Sequence, residues 1–128
     1  YTYGIGAGVV NCPGSGVLAI TTEADNQYID AIIREVYHEI DRLHNDLAPL
    51  EELEMVRSYM LGDFCRAYEG PFSLSEAWIY TETAEQDDEF FERQVDSIRS
   101  VTSEEIRTLA QRYLCKEKLI DVVAGKKV

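Results

Sequence analysis

Two histidines are the first candidates for metal or acid–base chemistry in this sequence. His38 and His44 stand six residues apart, which on a helix places them about 120° apart around the axis. His38 and Glu39 begin like a His-Glu-x-x-His zinc motif, but that motif needs a histidine where Arg42 stands. We therefore expect two histidines on a helix surface and no metal ligands in this chain.

A glycine-rich segment offers a second kind of chemistry, because Gly14-Ser15-Gly16-Val17-Leu18-Ala19 has the form of a dinucleotide-binding fingerprint. That fingerprint must follow a strand and open a helix. Here the glycines end a cluster of turn formers and precede a β-rich run. We expect no cofactor to be bound by this chain.

A tyrosine in a glycine-interrupted strand is the sharper candidate. The first ten residues alternate as in a β-strand, with one face nearly bare: Tyr1, Tyr3, Ile5, Ala7 and Val9 against Thr2, Gly4, Gly6, Gly8 and Val10. Successive glycines on one face weaken a strand unless a helix, another strand layer or a bound peptide approaches the backbone closely. From the residues alone we expect a packed strand tyrosine at Tyr3. The alternative is that a substrate lies against the backbone at Gly4 and Gly6 and that the Tyr3 phenol donates a hydrogen bond to it.

Composition and charge restrict the class of partner. The chain has 128 residues, with 24 acidic and 12 basic side chains and a formal net charge of −12. An acidic surface repels phosphate backbones and anionic membranes, which argues against nucleic-acid and membrane partners. The longest apolar stretch, residues 17–20, is far shorter than the roughly 20 residues that span a bilayer. We expect one domain over residues 1–128, and we read no compartment from the sequence.

The predicted elements give an α+β fold in the order ββαααααβ. Residues 1–22 contain no charged side chain and predict a hairpin that is covered on both faces. Apolar positions with helical spacing then predict five helices, at about residues 25–44, 49–68, 74–83, 88–100 and 103–113. Ser73 with Glu76, and Thr102 with Glu105, have the form of capping boxes for the third and fifth helices. Residues 119–124 predict a third strand.

Three strands leave two open sheet edges. An uncharged strand at an edge invites pairing with another chain, so we expect a strand from outside these 128 residues to continue the sheet. The same edge would allow self-association. The chain therefore has the pattern of a piece of a larger fold.

Six short segments carry a family resemblance through their order and spacing along nearly the whole chain. They are Tyr1-Thr2-Tyr3-Gly4-Ile5-Gly6-Ala7, Thr22-Glu23-Ala24, residues 52–62, Gly70-Pro71-Phe72, residues 101–106 and residues 122–125. Together they resemble the pitrilysin/insulinase family of zinc metallopeptidases, whose zinc motif is His-x-x-Glu-His. The likeness is to the carboxy-terminal half of one lobe, with Tyr3 at the family's tyrosine position.

The resemblance implies a function and an architecture. Each lobe of that family is a sheet with helices packed on one face, and two lobes close around a peptide. The resemblance implies that zinc lies in the other lobe and that this chain contains no zinc ligand. It also implies that an arginine of the family falls a few residues before Tyr1. The non-zinc lobe is the part that this chain resembles, and the fragment alone should be inactive.

Three functions remain open at the level of sequence. In the first, the chain is part of a peptidase that hydrolyses peptide bonds, and the remainder of the polypeptide or a partner lobe is its neighbour. Alternatively, it belongs to a non-catalytic scaffold or processing-partner subunit of the same family. A self-standing α+β module for ligand binding or dimerisation is the third alternative.

Overall fold

A computed structural model of the chain describes residues 2–12, 14–87 and 89–125. It forms two compact units. We call Tyr1–His44 with Ala110–Val128 the hairpin unit, and Asn45–Leu109 the helical unit. Each unit is treated separately below.

The hairpin unit begins with two antiparallel strands, β1 (Thr2–Cys12) and β2 (Ser15–Ala24). The closing pair of the ladder is Cys12 opposite Ser15, so the connection is two residues long. Gly14 in that connection has a φ of 77°, a left-handed conformation that glycine adopts without strain. The predicted hairpin is confirmed.

Helix α1 (Ile29–Asn45) follows a short 3₁₀ turn at Asn26–Tyr28. Its apolar stripe recurs at helical spacing, as the sequence predicts. Ile40 lies at the centre of the buried part and is only 3% exposed. Ala110, from the later part of the unit, is also buried.

The helical unit contains α2 (Leu50–Ala67), α3 (Pro71–Thr83), α4 (Phe90–Ser100) and the first part of α5 (Ser103–Tyr113). The half-buried Arg57 on α2 caps the end of α4, since its guanidinium donates to the carbonyls of Ile98, at 3.0 Å, and Val101, at 2.7 Å.

The predicted capping box of α5 is confirmed. The Thr102 amide donates to the Glu105 carboxylate at 2.8 Å, and the Glu105 amide donates to the Thr102 hydroxyl at 3.2 Å.

The structure confirms the α+β class with five helices, but its described residues form two strands and not three. Residues 119–124 form no strand. A strand requires a partner ladder, and the segment has none among the described residues. Its apolar side chains are exposed, as in Ile120 at 86% and Val122 at 85%.

The start of α3 and the cover of the hairpin also differ from the prediction. Helix α3 starts at Pro71, so Ser73 lies inside the helix and does not cap it. Gly70 precedes the helix with a φ of 119°, and the fixed φ of proline suits the first helical position.

The hairpin was expected to be covered on both faces, yet Ile5, Val9 and Val17 are each more than half exposed. Within the hairpin unit, no described residue covers these side chains.

The chain exposes an unusually large surface for its mass. Its accessible area is 10463 Å², whereas a folded protein of 14.6 kDa is expected to expose about 6,900 Å². Two separate bodies of half that mass would still expose only about 8,300 Å². The excess is therefore independent of how the two units are arranged.

The small core gives a direct test of packing. Leu53 on α2 is 7% exposed, whereas Leu50, on the same helix, is 69% exposed. We expect Leu53→Ala to lower the free energy of unfolding by about 2 to 3 kcal/mol, because it leaves a cavity. The matched control Leu50→Ala should cost less than about 0.5 kcal/mol. Urea denaturation followed by circular dichroism measures both, and equal losses would contradict this location of the core.

Candidate functional site

Two of the predicted site residues, Tyr3 and Gly4, lie at a β-bulge near the open end of the hairpin, and the third, Gly6, lies in the regular ladder opposite Thr21. Thr2 is opposite Ala24 and Ile5 is opposite Thr22, so β1 carries one more residue than β2 over this interval. Tyr3 and Gly4 therefore share a single position opposite the partner strand. Bulges bend a strand, re-aim a side chain and occur often beside active sites.

The bulge also changes which residues share a face of the sheet. Ala24 and Thr22 are two apart on β2, so their partners Thr2 and Ile5 lie on the same face. Strict alternation along β1 predicts that Thr2 and Ile5 lie on opposite faces. That part of the predicted pattern is wrong, because the extra residue shifts the alternation by one.

Two threonine hydroxyls take over the hydrogen bonds of the Gly4 backbone. The Gly4 amide donates to the Thr2 hydroxyl at 3.1 Å, and the Thr22 hydroxyl donates to the Gly4 carbonyl at 2.8 Å. The Thr2 hydroxyl lies 2.9 Å from the carbonyl oxygen of Glu23, to which it donates. These side chains fix the bulge in place of ladder hydrogen bonds, which a bulge interrupts.

The glycine face beyond the bulge is open. Side-chain carbon atoms added at Gly4 or Gly8 would meet no described atom within 4 Å, and one added at Gly6 would lie 3.8 Å from the Thr21 hydroxyl. The predicted close neighbour is therefore not supplied by the described part of this chain. The bare backbone remains accessible to a strand or a peptide.

The Tyr3 phenol lies outside the described side chains, so its predicted hydrogen bond stays a prediction. What the structure gives is the backbone position of Tyr3 in the bulge, beside Gly4 and two residues before Ile5. The neighbouring residues are threonines and glycines together with Glu23, which lies opposite the bulge on β2. Such a site can hold an extended backbone by hydrogen bonds, and Glu23 adds an exposed ionisable side chain on the opposite strand.

The two histidines lie apart from this bulge on α1. His38 is exposed. His44 is half-buried, and its Nε2 lies 3.0 Å from the carbonyl oxygen of Ala110, so the ring carries Nε2–H and donates to that oxygen. Among the described residues, no group of three or more His, Cys, Asp and Glu side chains could hold a metal ion.

A cluster of ionisable groups in the hairpin unit attaches the segment after α5 to α1. The Tyr37 hydroxyl donates to the Asp121 carboxylate at 3.3 Å, and Lys116 pairs with Asp41. The Lys116 ammonium also lies 5.8 Å from the centre of the Tyr37 ring. Burial raises the pKa of Tyr37, the charge and hydrogen bond of Asp121 raise it further, and Lys116 opposes them. The cluster is structural, because each group has its partner within the unit.

Sequence reasoning missed the residues that hold the bulge, namely Thr2, Thr22 and Glu23. Counting back from the two-residue connection places Thr22 opposite Ile5, as observed. The same count places Thr2 opposite Asp25 and not Ala24. The alternation of the first ten residues carries no sign of this shift, so the threonine cluster could be found only from the observed register.

Comparisons with models of protein families, with curated proteins and with solved structures gave no match to this chain. In the part of the chain that the structure describes, no helix has both the length and the apolar character needed to cross a membrane.

The Tyr37–Asp121 contact predicts a loss of stability at high pH. A raised pKa in the folded state means that the neutral phenol stabilises the fold, and this contribution is lost as pH rises through that raised pKa. We expect Tyr37→Phe to be less stable than the parent protein near pH 8, and the difference to shrink as pH rises beyond the ordinary tyrosine pKa of about 10. Urea denaturation across this pH range measures it.

A second variant separates the charge effect from the hydrogen bond. Asp121→Asn removes the carboxylate that raises the pKa of Tyr37. In this variant the stabilisation should be lost at a lower pH than in the parent protein. A stability difference between Tyr37→Phe and the parent that does not change with pH would contradict the assignment.

Proposed function

We propose that this chain is a segment of a zinc-dependent peptidase of the pitrilysin/insulinase type, from the lobe that lacks zinc. Its role is to shape the substrate chamber and to present Tyr3 to the peptide. The observation that carries the proposal is the β-bulge at Tyr3-Gly4, next to a glycine face that is open to an extended backbone. The order of the six family-like segments supports the same assignment.

The exposed surface supports the view that the hairpin belongs to a larger sheet. The chain exposes about 2,000 Å² more surface than the roughly 8,300 Å² expected of two separate folded bodies of half its mass. A typical stable interface buries about 800 Å² on each partner. The uncharged hairpin contributes several exposed apolar side chains, among them Ile5, Val9 and Val17. We assign the neighbour to the remainder of the same polypeptide or to a partner lobe.

The chemistry of the proposed role requires only a positioned donor from this chain. In the intact protein, zinc in the other lobe would activate a water for attack on the peptide carbonyl. Tyr3 donates a hydrogen bond to the carbonyl oxygen as negative charge develops on it, which lowers the barrier. Gly4 and Gly6 leave room for the peptide backbone, since neither has a side chain to block it.

Replacing one hydroxyl tests the role of Tyr3. In the intact protein we expect Tyr3→Phe to lower kcat on the order of 100-fold, with little change in the temperature of unfolding. Tyr59→Phe is the control, because Tyr59 lies on α2 and is 65% exposed. Peptide hydrolysis assays on the two variants give the comparison, and unchanged turnover in Tyr3→Phe would exclude the assignment.

The remainder of the polypeptide and its partner subunit decide between an enzyme and a scaffold. A His-x-x-Glu-His motif with a later glutamate favours the peptidase, because these residues supply the zinc ligands and the general base. Loss of that motif from both the remainder of the polypeptide and the partner subunit favours the scaffold subunit. The coding sequence upstream of Tyr1, read together with that of the partner subunit, separates the two.

Self-association of the isolated chain tests the open sheet. We expect the 128-residue chain to elute from gel filtration as concentration-dependent oligomers, because the apolar side chains Ile5, Val9 and Val17 of its uncharged hairpin are exposed. Val9→Lys should shift it toward a monomer, since an edge lysine opposes strand pairing. Val123→Lys is the control, because Val123 is similarly exposed and lies outside the hairpin. A clean monomer with a sharp thermal transition would instead favour a self-standing module.

A further inference from the structure

A cavity in the helical unit has features that the proposed peptidase role does not use. Its volume is about 470 Å³, and its lining comes from α2, α3 and α4 together with Gln86. Cavities that bind small molecules commonly measure about 300–1,000 Å³. The size therefore suits a small organic ligand.

The cavity walls are rich in aromatic rings. Phe64 on α2 and Tyr68, the residue that follows α2, have ring centres 4.6 Å apart, and the Phe91 ring on α4 packs edge-on to Tyr68 at 5.0 Å. Trp78 on α3 also lines the cavity and remains 59% exposed. A ligand that enters the cavity therefore contacts an aromatic cluster and a separate, exposed indole.

The charge of the lining favours one class of ligand. Glu82 is the one charged side chain among the described residues that line the cavity. The neutral polar groups are engaged within the protein, since the Thr81 hydroxyl donates to the Ala77 carbonyl at 2.7 Å and the Gln86 amide donates to Ala84 at 2.9 Å. Aromatic faces and a carboxylate both attract cations. An anion would meet a protein of net charge −12.

We propose that this cavity binds an organic cation of the quaternary ammonium type, with its alkyl groups against the aromatic rings and its charge near Glu82. Such a cation is weakly hydrated and gains from the negative face of each ring. A metal ion does not fit the site, because the lining offers only one carboxylate. Burial raises the pKa of Tyr68, with a smaller effect from Tyr80, so this ring stays neutral at ordinary pH.

The sole tryptophan makes the proposal directly measurable. Trp78 is the one tryptophan of the sequence and lines the cavity, so its fluorescence reports binding without a label. We expect choline to change this fluorescence with a saturable dependence on concentration. Its uncharged analogue dimethylbutanol, in which carbon replaces nitrogen, should bind at least about fivefold more weakly.

Two matched carboxylate variants test the role of charge. Glu82→Gln should weaken choline binding about threefold, the range expected of an exposed charge pair, and leave dimethylbutanol binding unchanged. Glu76→Gln is the control, because Glu76 is exposed on the same helix and does not line the cavity. Circular dichroism of each variant checks that α3 remains folded.

The outcomes separate the proposal from its rivals. Equal affinity for choline and dimethylbutanol would mean that the cavity is merely apolar, and it would overturn the cation assignment. An absence of saturable binding by either probe would mean that the cavity is a packing surface. Equal weakening in Glu82→Gln and Glu76→Gln would mean that net charge, not the cavity, attracts the cation.

Discussion

A two-stranded sheet pairs each strand on one side only, and this constraint governs the hairpin unit. The outer backbone groups of β1 and β2 have no ladder partner in the sheet. The apolar side chains of both strands are exposed as well. The order of the unit must therefore come from elsewhere, from the buried Ile40 and Ala110 and from the contacts that join α1 to the residues after α5. These contacts fix the helical part of the unit and leave the strands available for another sheet.

The bulge changes the hydrogen bonding and the direction of β1 near its start. Without it, the amide and carbonyl of Gly4 would join the regular ladder and the strand would run straight to its end. With it, the Thr2 and Thr22 hydroxyls bind the Gly4 backbone, and Tyr3 occupies a bent position. A bulge beside bare backbone is costly in a strand that only packs, because glycine weakens the strand and a bulge removes ladder bonds. Both costs are understandable if the segment receives an extended chain.

The sequence predicted features that depend on residues within one turn better than features that depend on contacts between distant segments. The Thr102–Glu105 capping box was correct because both partners of the reciprocal hydrogen bonds lie within one turn. Ser73 and Glu76 have the same spacing, but Gly70 and Pro71 start the helix earlier and leave the pair inside it. Residues 119–124 have the composition of a strand, yet a strand also needs a partner, which no local pattern supplies. The bulge is a property of register between two strands, so the sequence of either strand alone could not reveal it.

The environment of the cysteines also depends on distant contacts. Cys12, Cys65 and Cys115 lie about fifty residues apart, which is not the close spacing of a metal-binding motif. Their environment, in contrast, depends on which helix face is covered, and Cys65 proves exposed while Cys115 is half-buried. A small residue on a helix is uninformative about burial when the neighbouring elements leave much of each helix open.

The uneven distribution of charge limits how this protein can associate. The formal net charge of −12 belongs wholly to residues beyond 22, since residues 1–22 carry no charged side chain. Acidic helical surfaces of two copies repel each other over about 8 to 10 Å at ordinary salt concentrations. The hairpin lacks that repulsion and offers exposed apolar side chains and open backbone edges. For the proposed neighbour, the rest of a lobe or a second copy of the chain, contact through the hairpin would meet less charge repulsion than contact through the helices.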